Sequence, residues 1–143
     1  MKFYTIIFCF LATFIFAQVE EVQPPKNIKT IQVFNPQTND NTPIIRLNSG
    51  EYLFFLFDDL NAGYKRYQYS IEHRNADWTS SNIFQSEFLN GINTDYARVH
   101  KNSFNTYQRY TNYQIKFPNE QMNVKLPGNY IIKVFLENDN NPI

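Results

Sequence analysis

Apolar residues recur at every second position along most of this chain. Tyr67, Tyr69, Ile71 and His73 share one face of a run whose other face is Gln68, Ser70, Glu72 and Arg74. Tyr113, Ile115 and Phe117 repeat the pattern, then Met122, Val124 and Leu126, and finally Tyr130, Ile132, Val134 and Leu136. Successive side chains of an extended strand point to opposite faces, so each run predicts a strand with one buried face. Residues 51–57 differ. Leu53, Phe55 and Phe57 are backed by Tyr52, Phe54 and Leu56, which predicts a central strand covered on both sides. Ile31 and Val33 mark a first strand, and Ile45 and Leu47 a short second one. Outside the first 17 residues no window of about eleven residues carries a 3.6-residue stripe, and no repeat of about 20–50 residues recurs. The chain is expected to be all-β.

Turn chemistry separates these runs. Asn stands at 19 positions, five of them in residues 35–41, Asn48-Ser49-Gly50 and Asn61-Ala62-Gly63. Asn side chains bond their own backbone and tolerate left-handed dihedrals, so these stretches read as turns. Residues 83–89 are expected as an edge strand and 90–112 as a polar excursion. Leu53, Phe55, Ile71, Ile115, Val124, Ile132 and Val134 are the expected core between two sheets. Leu126-Pro127-Gly128-Asn129-Tyr130 places a Tyr just after a Pro-Gly turn, as in the corner that opens the penultimate strand of immunoglobulin-like sandwiches. The expected fold is therefore an immunoglobulin-like β-sandwich over residues 28–143. Residues 137–142 read as a turn and Ile143 as the first residue of a returning partner, so the sandwich is expected to lack its last strand. The chain then reads as the truncated N-terminal domain of a longer protein. The amides of Ile131, Lys133 and Phe135 are expected to face the open edge.

The N-terminus carries a different signal. Met1-Lys2 precedes fourteen uncharged residues, Phe3 to Phe16, and then Ala17-Gln18. That run is short of the ~20 residues of a spanning helix and suits a signal peptide over residues 1–17, cleaved after Ala17. Ile15 departs from the small-residue pattern, and an uncleaved anchor is the alternative. Residues 18–27, with Pro24-Pro25, read as a linker. The one cysteine, Cys9, lies inside the apolar run, so the mature domain has no thiol or disulfide chemistry.

Composition and motifs then exclude most chemistry. Cleavage removes Lys2 and leaves 12 basic and 13 acidic residues, too balanced to concentrate nucleic acid. His73 and His100 are the only imidazoles. His73 reads as a satisfied inward or rim residue and His100 as exposed, and no zinc-ligand spacing exists. Asp58 and Asp59 are adjacent, and on a strand they point apart and cannot act as a catalytic pair. Asn39-Asp40-Asn41 and the Asn138–Asn141 stretch lack the Glu of a calcium loop and read as turns. No catalytic residue, cofactor, metal or small-molecule substrate is assigned. Binding remains, and Trp78, Phe84 and Phe88 are the candidate partner contacts, because aromatic side chains dominate interface energetics.

Several ordered blocks carry a family resemblance. Residues 31–40 (IQVFNPQTND) with 42–47 (TPIIRL), 69–78 (YSIEHRNADW), 84–91 (FQSEFLNG), and Phe117-Pro118-Asn119 through the 126–135 block (LPGNYIIKVF) resemble the opening part of the type IX secretion system plug protein family. The resemblance covers roughly residue 26 to the end. It implies an exported, non-enzymatic protein of Bacteroidetes-type bacteria with an immunoglobulin-like N-terminal domain. It implies a place in the periplasm, on the periplasmic face of the outer membrane and peripheral to it, where a plug closes the channel of a large translocon β-barrel by steric means. Family members run to several hundred residues. An exported carbohydrate-binding sandwich and an accessory domain of an exported enzyme are the alternatives.

Overall fold

A computed structural model describes residues 23–139 and 141–143, so the expected signal peptide and the start of the linker lie outside the described residues. The chain order is β1 (Ile28–Phe34), β2 (Leu53–Asp59), β3 (Tyr67–Arg74), α1 (Gln85–Phe88), β4 (Leu89–Gly91), β5 (Thr94–Tyr96), β6 (Arg98–Asn102), β7 (Thr111–Phe117), β8 (Met122–Val124) and β9 (Asn129–Leu136). One sheet has the order β1-β2-β7-β6, a second β5-β3-β9, and β4 and β8 form a small ribbon. Every pairing is antiparallel. The first order is that of the A-B-E-D sheet of an immunoglobulin domain, with β3 and β9 standing as C and F of the other. The chain is an all-β, immunoglobulin-like sandwich, and among the described residues no strand covers the outer edge of β9.

The core forms where the alternating faces meet. Tyr67, Tyr69 and Ile71 of β3 pack against Phe57 of β2 and Tyr113, Ile115 and Phe117 of β7. Phe57, Tyr67 and Tyr113 form a ring cluster, with centroids 5.2, 5.4 and 4.8 Å apart. Each such aromatic pair adds about 0.5–1.5 kcal/mol beyond its buried area. Their hydroxyls need partners in that setting. Tyr67 donates to Asp59 (3.0 Å), Tyr69 donates to Asp95 (3.2 Å) and accepts from Asn119 (2.8 Å), and Tyr113 accepts the Lys65 N–H (2.7 Å). Of the expected core, Leu53, Ile71, Ile115 and Val124 are buried, while Phe55, Ile132 and Val134 are only half buried.

Three local expectations are corrected. Ile45 and Leu47 lie in no strand. The Glu51 carboxylate grips the backbone N–H and guanidinium of Arg46 at 2.6–2.9 Å, and Ser49 donates to the Arg46 carbonyl, folding this stretch into a clamped loop. Residues 83–89 are not an edge strand. The Phe84 N–H donates to Glu87 Oε1 (2.8 Å) and opens a single helical turn, α1, after which β4 begins. The excursion over 90–112 contains β5 and β6, whose residues are mostly exposed, so no one-face apolar period marked them.

The Pro-Gly corner is as the sequence suggests. The Tyr130 hydroxyl donates to the Leu126 carbonyl at 2.7 Å, and burial pushes its pKa up to about 12. The edge of β9 is phased differently from expectation. The Ile143 N–H donates to the Val134 carbonyl (2.8 Å), with Phe135 opposite Pro142. The N–H and C=O of one strand residue point to the same side. Tyr130, Ile132 and Val134 therefore present their backbone to the open edge, whereas Ile131, Lys133 and Phe135 face β3. The Glu137 N–H, bonded to the Arg66 carbonyl, shows the same phase.

Candidate docking surface

The loop after β3 is built to hold one ring outward. The Trp78 N–H donates to the Asn75 carbonyl and the Asn75 N–H to the Thr79 carbonyl, both at 3.0 Å. Asp77 accepts the Thr79 hydroxyl (2.6 Å) and backbone N–H (3.1 Å), and these bonds hold its carboxyl below the usual carboxylate range. Asn129, at the start of β9, donates to the carbonyls of Asn75 and Ala76. Trp78 sits at the tip with a φ of 65° and 43% of its surface exposed. A Trp in the left-handed region is uncommon and strained, so the surrounding bonds hold the backbone there.

Phe84, just before α1, is 78% exposed. Phe88 is 6% exposed and packs against His73 and Tyr130, with ring centroids 5.9 and 6.1 Å away, so it is a core residue and not a surface contact. The helical turn explains the difference, since α1 directs Phe88 inward while its start leaves Phe84 outside. His73 occupies the corner beneath them. Its Nδ1 lies 2.9 Å from Ser81 Oγ and its Nε2 3.4 Å from the Pro127 carbonyl. Gly128 closes over this ring. A Cβ there would meet His73 Nε2 at 2.4 Å, so only glycine allows the approach.

Sequence reasoning missed a second aromatic group. Phe104 and Tyr107, in the β6–β7 loop, are almost fully exposed, and Tyr64, in the β2–β3 loop, is largely so. Their polar neighbours hid them, because isolated rings in a loop leave no periodic trace.

The remaining candidates resolve into structure. Asp58 accepts from Asn112 (2.7 Å), while Asp59 is fully buried with Lys65, Asn27 and Tyr67 around it. Asp40 and Asp139 accept the backbone N–H two residues on, closing turns. Among the described residues no three His, Cys, Asp or Glu side chains gather as a metal site, and no helix is long and apolar enough to cross a membrane.

Comparison with known proteins now decides the grouping. The family model described as type 9 secretion system plug protein, first domain, matches residues 28–143. This chain belongs to the type 9 secretion system plug family. A crystal structure of a hypothetical protein from Parabacteroides merdae is 38% identical and superposes with a TM-score of 0.74, over 79% of this chain and 28% of that one. The chain thus spans little more than a quarter of the length of that protein. No curated protein matches it.

Proposed function

We propose that this chain is the leading, non-enzymatic domain of a plug that closes the periplasmic side of an outer-membrane translocon channel. The family match over residues 28–143 is the observation that carries the reading. In this account the apolar N-terminus exports the protein to the periplasm, where it lies against the outer membrane without spanning it. The partner is a large translocon β-barrel, and occlusion is steric, with no turnover and no small-molecule substrate. Trp78 and Phe84 form the contact we assign to that partner, because a ring held out by a bonded turn loses little freedom on docking. The mature chain would carry 12 basic and 13 acidic residues, so the contact should depend weakly on salt.

The test is deletion of the gene in the native host, with the translocon still expressed. Cells should become permeable to large antibiotics while secreted enzyme activities persist. Tagged protein should co-purify with an outer-membrane barrel from wild-type cells, and Trp78→Ala with Phe84→Ala should weaken that capture. Unchanged impermeability of the deletion strain would remove the plug role.

A further inference from the structure

Phe55 of β2 and Ile132 and Val134 of β9 occupy core-facing positions, yet each is only half buried. With Ile28, Ile115 and Ile143 they line a groove of about 1300 Å³ between the two sheets. The groove runs between β1, the edge of one sheet, and β9, the edge of the other. It is larger than the ~300–1,000 Å³ of a small-molecule site. Along it runs the open edge of β9, whose outward amides and carbonyls, at Tyr130, Ile132 and Val134, are a template for pairing.

We propose that this groove is the seat of one further strand, formed by polypeptide running on from Ile143. The strand lies antiparallel to β9 and is apolar at the second and fourth residues past Ile143. Direction and register come from the pairing already begun. Phe135 stands opposite Pro142, and the Ile143 N–H is bonded to the Val134 carbonyl. Continuing that register puts the second residue past Ile143 opposite Ile132 and the fourth opposite Tyr130. Residues directly opposed in an antiparallel pair share a face. Those two side chains therefore enter the groove, as Ile143 does, which already packs against the core. A β9 edge from a second copy would fit less well. It could continue the hydrogen-bond ladder, but its inward side chains are committed to its own core and would leave the groove open. A strand from a separate protein would meet Ile143 in the first ladder position.

The test compares three chains. One is the chain as it stands. The second carries Thr-Val-Thr-Leu-Ser after Ile143, with apolar residues at the second and fourth places. The third carries Val-Thr-Leu-Thr-Ser, the same composition one residue out of phase. Hydrogen exchange at the Ile132 and Val134 amides should slow by about tenfold or more in the in-phase chain alone, and its thermal midpoint alone should rise. If the unextended chain does not fold, rescue of folding by the in-phase extension alone is the same support. Equal behaviour of the two extensions, or failure of all three chains to fold, would overturn the proposal. Protection of Ile132 and Val134 that rises with concentration in the unextended chain would overturn it in favour of a second copy. Equal protection by the free in-phase peptide at millimolar concentration would overturn it in favour of a separate partner's strand.

Discussion

Two edge strands of the molecule, β6 and β9, are treated in opposite ways. On β6 all five residues are exposed, Arg98, His100 and Lys101 among them, and the register with β7 shifts between Val99 and Lys101. Charge and a bulge are the usual means by which a sheet edge is kept from pairing with another chain. On β9 every residue is half buried, and its one charged side chain, Lys133, is engaged by Glu72 on β3. Val99 is the one large apolar side chain exposed on β6, whereas behind β9 lies the groove lined by Phe55, Ile132 and Val134. One edge is finished and the other is prepared for a cover. An open edge in a sandwich is thus no defect in itself, and its side chains show which kind it is.

That contrast can be broken in measurable ways. The largest effect belongs to the closed core. Ile71→Ala, at a fully buried site on β3, should cost about 3–4 kcal/mol, and Phe55→Ala, on the groove, about half as much, by urea denaturation. Equal costs would erase the distinction between the closed side and the open one. Next comes Asp59→Asn at the closed end of β2, with a loss of about 2–3 kcal/mol, because Lys65 is left without its anion. Burial alone would raise the Asp59 pKa, but hydrogen bonds from Lys65, Asn27, the Asn61 N–H and Tyr67 outweigh it and hold it below the ordinary value. A depressed folded pKa stabilises above the unfolded value, and that stability is lost as pH falls through the ordinary carboxylate range towards the folded pKa. Melts at pH 7 and pH 3 should therefore differ less in Asp59→Asn than in the wild type.

A smaller change sits at the corner that starts β9. Tyr130→Phe removes the bond to the Leu126 carbonyl and should lower stability by about 1 kcal/mol in thermal melts. The smallest should be Lys101→Val on β6, within about 0.5 kcal/mol of wild type. Its expected signature is association, read by sedimentation as a concentration-dependent rise in mass. A monomeric Lys101→Val would mean that charge is not what guards this edge.

Much of this architecture was legible because burial leaves a period. The runs at Tyr67, Tyr113 and Tyr130 gave β3, β7 and β9 their faces, and the Pro-Gly corner gave the fold its type. Strands β5 and β6 were invisible for the reverse reason, since polar edge residues on both faces carry no alternation. Ile45 and Leu47 imitated a strand with two apolar residues, but the Glu51 clamp on Arg46 decided that segment. Of the candidate contacts, Trp78 and Phe84 reach the surface while Phe88 does not, because a one-turn helix at residues 85–88 was not foreseeable from an apolar pattern that also suits a strand. The phase of β9 needed Ile143 placed against Val134, a relation that depends on the geometry of one turn.

The rigid turn at Asn75–Thr79 gives the molecule a built-in optical gauge. Trp78 is the only tryptophan in the sequence, so its indole alone dominates the emission of the folded chain. The ring is partly wet, and it also stands at one mouth of the inter-sheet groove. Its fluorescence will sit between the limits of a hydrated and a buried indole. It should shift towards the blue when anything dry is laid over that end of the sandwich, without a label being attached.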